Sequence, residues 1–311
     1  MIGTDAISVA RFEPYAARPA RAPGVASAGL IASPVAFVDG FAYHYPADGD
    51  IGVVFCGSWG YEALCAHRSC AELAGMFAGA GYPTLRFDYR GMGDSDGEQR
   101  TFEEMDDDIA SAITALVRHV PHLRRIVLCA LCDGASAVLQ YLQRRGPDAR
   151  VAGLILMNPW TRTTAGEAET RVRHYYRERL LSGEFWRKLL TGGVARGALA
   201  EALRAVRTML AKSPPVPRED APKHFLERMA EGAAAFGGRA LIVTSGRDYT
   251  AKEFLLTCAR DARWQQVLAR PTTRHVELPT ADHTISDSAD ERELHRHCSQ
   301  WLGEMQAVAN T

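Results

Sequence analysis

The stretch "LCALCDGASA", residues 128–137, decides how this chain folds. It continues the apolar run "RRIVLCA" (124–130), which reads as a buried strand, and leads into a helix that starts at Asp133. Cys132 therefore falls in a sharp strand-to-helix turn. Ala130 and Gly134 stand two residues to either side of it, at the small-residue positions of a G-x-S-x-G turn, with a thiol where the hydroxyl would be. Such a turn presents its central side chain beside a helix N-terminus, where the dipole and local N–H groups favour a thiolate. Taken alone, the window also reads as a strand end with two buried cysteines, which are common core residues.

Working outward, "SPVAFVD" (33–39), "FAYHYP" (41–46) and "IGVVFCG" (51–57) predict strands. The third is a continuous apolar run and suits a strand buried on both faces. A helix is expected over 63–80, closed by Gly81. Next come a strand in "PTLRFDYRG" (83–91) and a helix in "TFEEMDDDIASAITALVRHV" (101–120), which opens on the capping-box pair Thr101 and Glu104. "VAGLILMNP" (151–159) and "RALIVTSGRD" (239–248) predict further strands. "AKEFLLTCARDARW" (251–264) reads as one helix, "RHVELPTADH" (274–283) as the last strand, and a final helix ends near "WLGEM". This alternation predicts an α/β fold with a mostly parallel central sheet flanked by helices.

The alternation breaks once. Between Trp160 and Gly238 the sequence is helical and basic, without a convincing strand. The expected organisation is a loosely ordered tail over 1–30, a core over 31–160 and 238–311, and an inserted helical cap over 161–237. From Thr161 to Lys212 there are eleven basic and five acidic residues, a local charge of +6. A basic lid favours an anionic substrate, although a solvated helical face reads the same way.

With Cys132 as nucleophile, an acid and a base are required in that chain order at later strand ends. Asp248 follows "ALIVTSGR" and His283 follows "VELPTAD". An imidazole held by a carboxylate would take the Cys132 proton and later return it to a leaving group. His275 begins a strand, and His295 and His297 lie on a helix, so His283 alone has the required loop context. Asp282 is badly directed toward its own neighbour. Oxyanion donors are expected from the Asp133 backbone N–H and from the loop "CGSWGYE", with Ser58 preferred over Trp59. Trp160, His174 and Tyr175 are the candidate substrate contacts, against the alternative that the aromatics of the insert pack the lid onto the core. "RFDYRGMGDSDG" (86–97) reads as a structural wall: Gly91 and Gly93 suit a tight loop, and Asp94-Ser95 suits a cap for the next element.

Composition bounds the rest. The chain has 311 residues, 47% hydrophobic and 23% charged, with a formal net charge of −1. That balance gives no whole-chain case for nucleic acid, and no apolar run suits stable membrane insertion. Seven cysteines without a paired zinc spacing, and no signal-peptide pattern, point to a reducing cytoplasm and to no metal or other cofactor. The oligomeric state is not encoded in any pattern found.

The order of elements, the turn at Cys132, the late Asp and the final His resemble the α/β-hydrolase superfamily from about residue 34 onward. More narrowly, "FDYRGMGDSDGE", "LCDGASA" and "NPWTRTTAGEAETRVRHYYRERLLSGEFWRKLLTG" resemble the exosortase A system-associated hydrolases of type 1. That resemblance implies a bacterial exopolysaccharide setting and a cysteine at the turn. Ala130 departs from the family's glycine, and "CGSWGYEALCAHRS" from the expected Gly-Gly-Pro loop. The expected activity is cleavage of an ester, thioester or lactone acyl substrate. Acyl transfer to a saccharide or amine by the same residues, and a non-catalytic scaffold of a polysaccharide assembly system, remain the alternatives.

Overall fold

The structure is a computed structural model and describes residues 33–37, 40–57, 62–92, 95–146, 148–161 and 224–309. The expected tail and residues 162–223, most of the expected cap, lie outside the described residues. Eight strands form one sheet: β1 (Ser33–Phe37), β2 (Gly40–Tyr45), β3 (Ile51–Cys56), β4 (Thr84–Asp88), β5 (Arg125–Leu131), β6 (Val151–Met157), β7 (Arg239–Ser245) and β8 (Thr273–Leu278). Their spatial order is β1-β2-β4-β3-β5-β6-β7-β8. β2 pairs antiparallel with β1 and β4, and every pairing from β4 to β8 is parallel.

The continuous apolar strands are explained by helices on both faces. Along β5, Ile126, Leu128 and Ala130 pack toward α2 (Asp106–His119) and α3 (Asp133–Arg145), while Val127, Cys129 and Leu131 face the opposite layer. That opposite layer is built by α1 (Glu62–Gly79), through Leu73 and Phe77, and by α7 (Ser288–Ala309), through Cys298, Trp301 and Leu302. β3, β6 and β7 divide their side chains between the layers in the same way. β8 forms the far edge and is half exposed. No helix among the described residues is long and apolar enough to cross a membrane.

Three local expectations need correction. The Thr101–Glu104 box is formed, with Glu104 Oε2 accepting from the Thr101 N–H at 3.4 Å and from its hydroxyl at 3.1 Å. It opens a 3₁₀ turn at Phe102–Glu104, however, and α2 begins only at Asp106. Ser95 does not cap that element; its hydroxyl donates to the Asp88 carbonyl at 2.7 Å and folds the loop back on β4. The single helix expected over 251–264 is two, α5 (Tyr249–Arg260) and α6 (Ala262–Leu268). Asp261 is extended between them, and its carboxylate accepts from the Arg263 N–H at 2.8 Å, as an N-cap does.

Within the stretch expected as cap, α4 (Phe225–Ala235) packs on α3 in the core, with Met229 and Ala230 fully buried. A side chain at Gly232 would meet the Leu139 carbonyl oxygen at 1.9 Å, so only glycine allows this approach.

Candidate active site

The C-terminal ends of the parallel strands converge on one rim. At the end of β5, Cys132 adopts φ 57° and ψ −125°, a conformation that costs a residue with a Cβ. The surroundings fix it there. Its N–H donates to the Met157 carbonyl at 2.9 Å, and its carbonyl accepts from Trp160 N–H and Ala135 N–H, both at 3.1 Å. The buried Ser136 hydroxyl, one turn into α3, donates to the Trp160 carbonyl at 2.6 Å. A side chain at Gly134 would strike the Gly57 carbonyl oxygen at 2.3 Å. Glycine at 134 thus lets α3 start directly against the end of β3. Ala130 meets no such demand, because it is a buried strand residue paired beside Cys56 and Leu156.

At the end of β7, Asp248 caps α5. Its Oδ1 accepts from Thr250 N–H at 3.0 Å and its Oδ2 from Ala251 N–H at 3.1 Å. The same Oδ2 lies 2.8 Å from Nδ1 of His283. His283 follows β8, and its ring also lies beside the Cys132 side chain. With Nδ1 on the carboxylate, Nε2 is the nitrogen left for sulfur. Burial alone would lower the basicity of this imidazole. The hydrogen bond to Asp248 and the influence of the neighbouring Cys132 and Asp248 outweigh it and push His283 up to about 10. Cys132 is 6% exposed and Asp248 7%.

Other candidates are placed elsewhere. Asp282 is exposed and occupied within its own turn, accepting from Thr284 N–H at 3.1 Å and Ser286 N–H at 3.0 Å. His275 bonds Thr244 at 2.8 Å on the sheet edge, while His295 and His297 lie on α7. Asp133 is the first residue of α3, so its N–H points out of the helix N-terminus. Trp160 is half-buried and packs on the same apolar cluster as Cys132. Ser58, Trp59, His174 and Tyr175 lie outside the described residues. Among the described residues, no three His, Cys, Asp or Glu side chains are grouped to hold a metal ion. Burial pushes Cys70 and Cys298 up to about 12, and raises Cys56, Cys129 and Cys258 as well.

Sequence reasoning missed Asn158, at the end of β6. It has φ 45° and is fully buried. Its Nδ2 donates to Ser245 Oγ and to the His283 carbonyl, both at 2.9 Å, and its Oδ1 accepts from Ser245 N–H at 2.8 Å. An Asn-Pro pair ending a strand was the available signal, because asparagine tolerates positive φ.

A mostly parallel sheet sandwiched by helices, with Cys, Asp and His converging at its C-terminal rim in that chain order, is the architecture of an α/β hydrolase. The model of the family described as "Serine aminopeptidase, S33" matches residues 65–243, more than half of the sequence, and the chain belongs to that family. None of the curated proteins matches. Among solved structures, the Pyrococcus furiosus esterase Pf2001 is similar with a TM-score of 0.55 and 14% identity, over 88% of this chain and 91% of that one. A bromoperoxidase from Bacillus anthracis is similar with a TM-score of 0.52 and 16% identity, over 87% and 100%. A putative α/β hydrolase from Agrobacterium tumefaciens has a TM-score of 0.52 and 15% identity, over 88% and 97%. At these identities the likeness is one of fold.

Proposed function

We propose that this chain is a cysteine-nucleophile hydrolase of ester-type bonds, with Cys132 as nucleophile, His283 as proton carrier and Asp248 as its orienting acid. The observation that carries the reading is the 2.8 Å contact of Asp248 Oδ2 with Nδ1 of His283, whose ring also lies beside the Cys132 side chain. His283, raised to about 10, is basic enough to take the thiol proton at Nε2 and leave Cys132 as the nucleophilic thiolate. The Cys132 thiolate adds to the acyl carbon and forms a C–S bond and an oxyanion. Collapse breaks the bond to the leaving group, which departs with the proton from Nε2. Water then attacks the thioester and gives its proton to neutral His283. The acid leaves, and the thiolate–imidazolium pair is restored.

The Asp133 N–H and a donor from the loop after Gly57, Ser58 before Trp59, serve as the oxyanion hole. The close approach of Gly57 to Gly134 supports that loop as the source of the second donor. Trp160, His174 and Tyr175 contact the substrate beneath a cap formed by the part of 161–237 that precedes α4, whose basic charge favours an anionic acyl donor. The resemblance to the exosortase-associated hydrolases supports an exopolysaccharide setting, and the family's description adds aminoacyl amides to the substrates worth testing. Acyl transfer is the second reading. A thioester formed at a residue only 6% exposed is shielded from bulk water, which favours a bound sugar hydroxyl or amine as acceptor.

The test is alkylation by iodoacetamide near neutral pH, with the modified cysteine located by mass spectrometry in wild type and His283→Ala. Fast labelling of Cys132 that depends on His283 is expected. Cys258 and Cys298, whose thiols burial holds protonated, set the slow background. Labelling of Cys132 no faster than these two sinks the reading. Turnover of acyl thioesters, esters and aminoacyl amides, with and without a sugar acceptor, then divides hydrolysis from transfer.

A further inference from the structure

We infer that Asn158 is a positioning residue that sets the separation between the Cys132 turn and His283. The inference rests on the reading of Cys132 and His283 as nucleophile and proton carrier, and adds a residue outside that pair. Asn158 reaches two of the three strand ends that bear the site, β7 and the loop after β8, and its neighbours Met157 and Trp160 bind the third, the Cys132 turn. Its backbone N–H donates to the Val243 carbonyl of β7 at 2.9 Å, and its Oδ1 takes the Ser245 N–H three residues before Asp248. Its Nδ2 is shared between Ser245 Oγ and the carbonyl of His283 itself. Both amide hydrogens, the amide oxygen and the backbone N–H are thus satisfied in a fully buried side chain.

Two residues further on, after the rigid Pro159, Trp160 N–H donates to the Cys132 carbonyl and Ser136 binds the Trp160 carbonyl. The segment 158–160 therefore grips the His283 loop at one end and the Cys132 turn at the other. A tie of fixed length, from the Asn158 amide to the His283 carbonyl and from Trp160 N–H to the Cys132 carbonyl, sets the separation of sulfur and imidazole before substrate arrives.

The experiment is a double-mutant cycle read by the iodoacetamide rate at Cys132, pH 7, in wild type, Asn158→Gly, His283→Ala and the double variant. Glycine removes the side chain and keeps the positive φ without a Cβ penalty. Asn158→Gly is expected to slow labelling about tenfold in the wild-type background and less than about twofold in the His283→Ala background. Equal losses in both backgrounds mean a merely structural role and overturn the inference. No loss in either overturns it too. If His283→Ala alone labels at the wild-type rate, the reading beneath fails, and the inference with it. Should Asn158→Gly not fold, Asn158→Asp runs the same cycle. It keeps an acceptor for Ser245 N–H but cannot donate to the His283 carbonyl.

Discussion

The φ of 57° at Cys132 costs about 1–3 kcal/mol, and it persists only because the surroundings over-determine it. Met157, Trp160 and Ala135 bind its backbone, and the Gly57 carbonyl packs where a Cβ at 134 would be. Gly134→Ala should therefore cost about 1–3 kcal/mol by overpacking, and push the β3 end away from α3. Urea unfolding measures the first effect, and a fall in Cys132 labelling at constant fold measures the second. A variant as stable and as reactive as wild type would mean that the approach relaxes freely. The meeting of Cys132, Asp248 and His283 was legible in the sequence because each follows an expected strand, in the chain order Cys, Asp, His. Asn158 was not, because its partners Ser245 and His283 lie 87 and 125 residues away and leave no local pattern.

Among the elements, α5 joins structure to chemistry through one carboxylate. The Asp248 carboxylate caps the helix by accepting from Thr250 N–H and Ala251 N–H, and its Oδ2 also holds His283. Asparagine caps helices as well as aspartate does, so Asp248→Asn should keep α5 while misdirecting the imidazole. The expected outcome is a loss of about 10²–10⁴ in kcat, with the fold retained by circular dichroism. Asp248→Ala should also lose about 1 kcal/mol of stability from the missing cap. Comparable activity in Asp248→Asn and wild type would exclude Asp248 as the orienting acid. The buried strands were legible as apolar runs. The break between α5 and α6 was not, because no Gly or Pro stands between Tyr249 and Leu268 to mark it. Only the capping geometry of Asp261 reveals the interruption.

For the whole molecule, the raised His283 makes stability depend on pH with a definite sign. A basic group whose folded value lies above its unfolded one, here about 10 against about 6.5, stabilises fully below the unfolded value. That contribution is lost as pH rises toward about 10. The Tm difference between wild type and His283→Ala should accordingly be widest at pH 6 and narrow steadily toward pH 10. A difference that widens with pH would mean that the folded protein holds a neutral imidazole. The division of the molecule into two apolar layers around one sheet followed from composition and alternation alone. What composition concealed was how tightly separate strand ends are tied, since such ties use single polar atoms and leave no mark on hydropathy.

The elbow's strain is carried by the backbone and by Gly134, and neither depends on which atom follows the Cβ of residue 132. Serine and cysteine codons differ by a single base, so the fold puts no barrier on the mutational path between a hydroxyl and a thiol at this position. A lineage can exchange sulfur for oxygen at residue 132 in one step and keep every backbone contact that holds the turn.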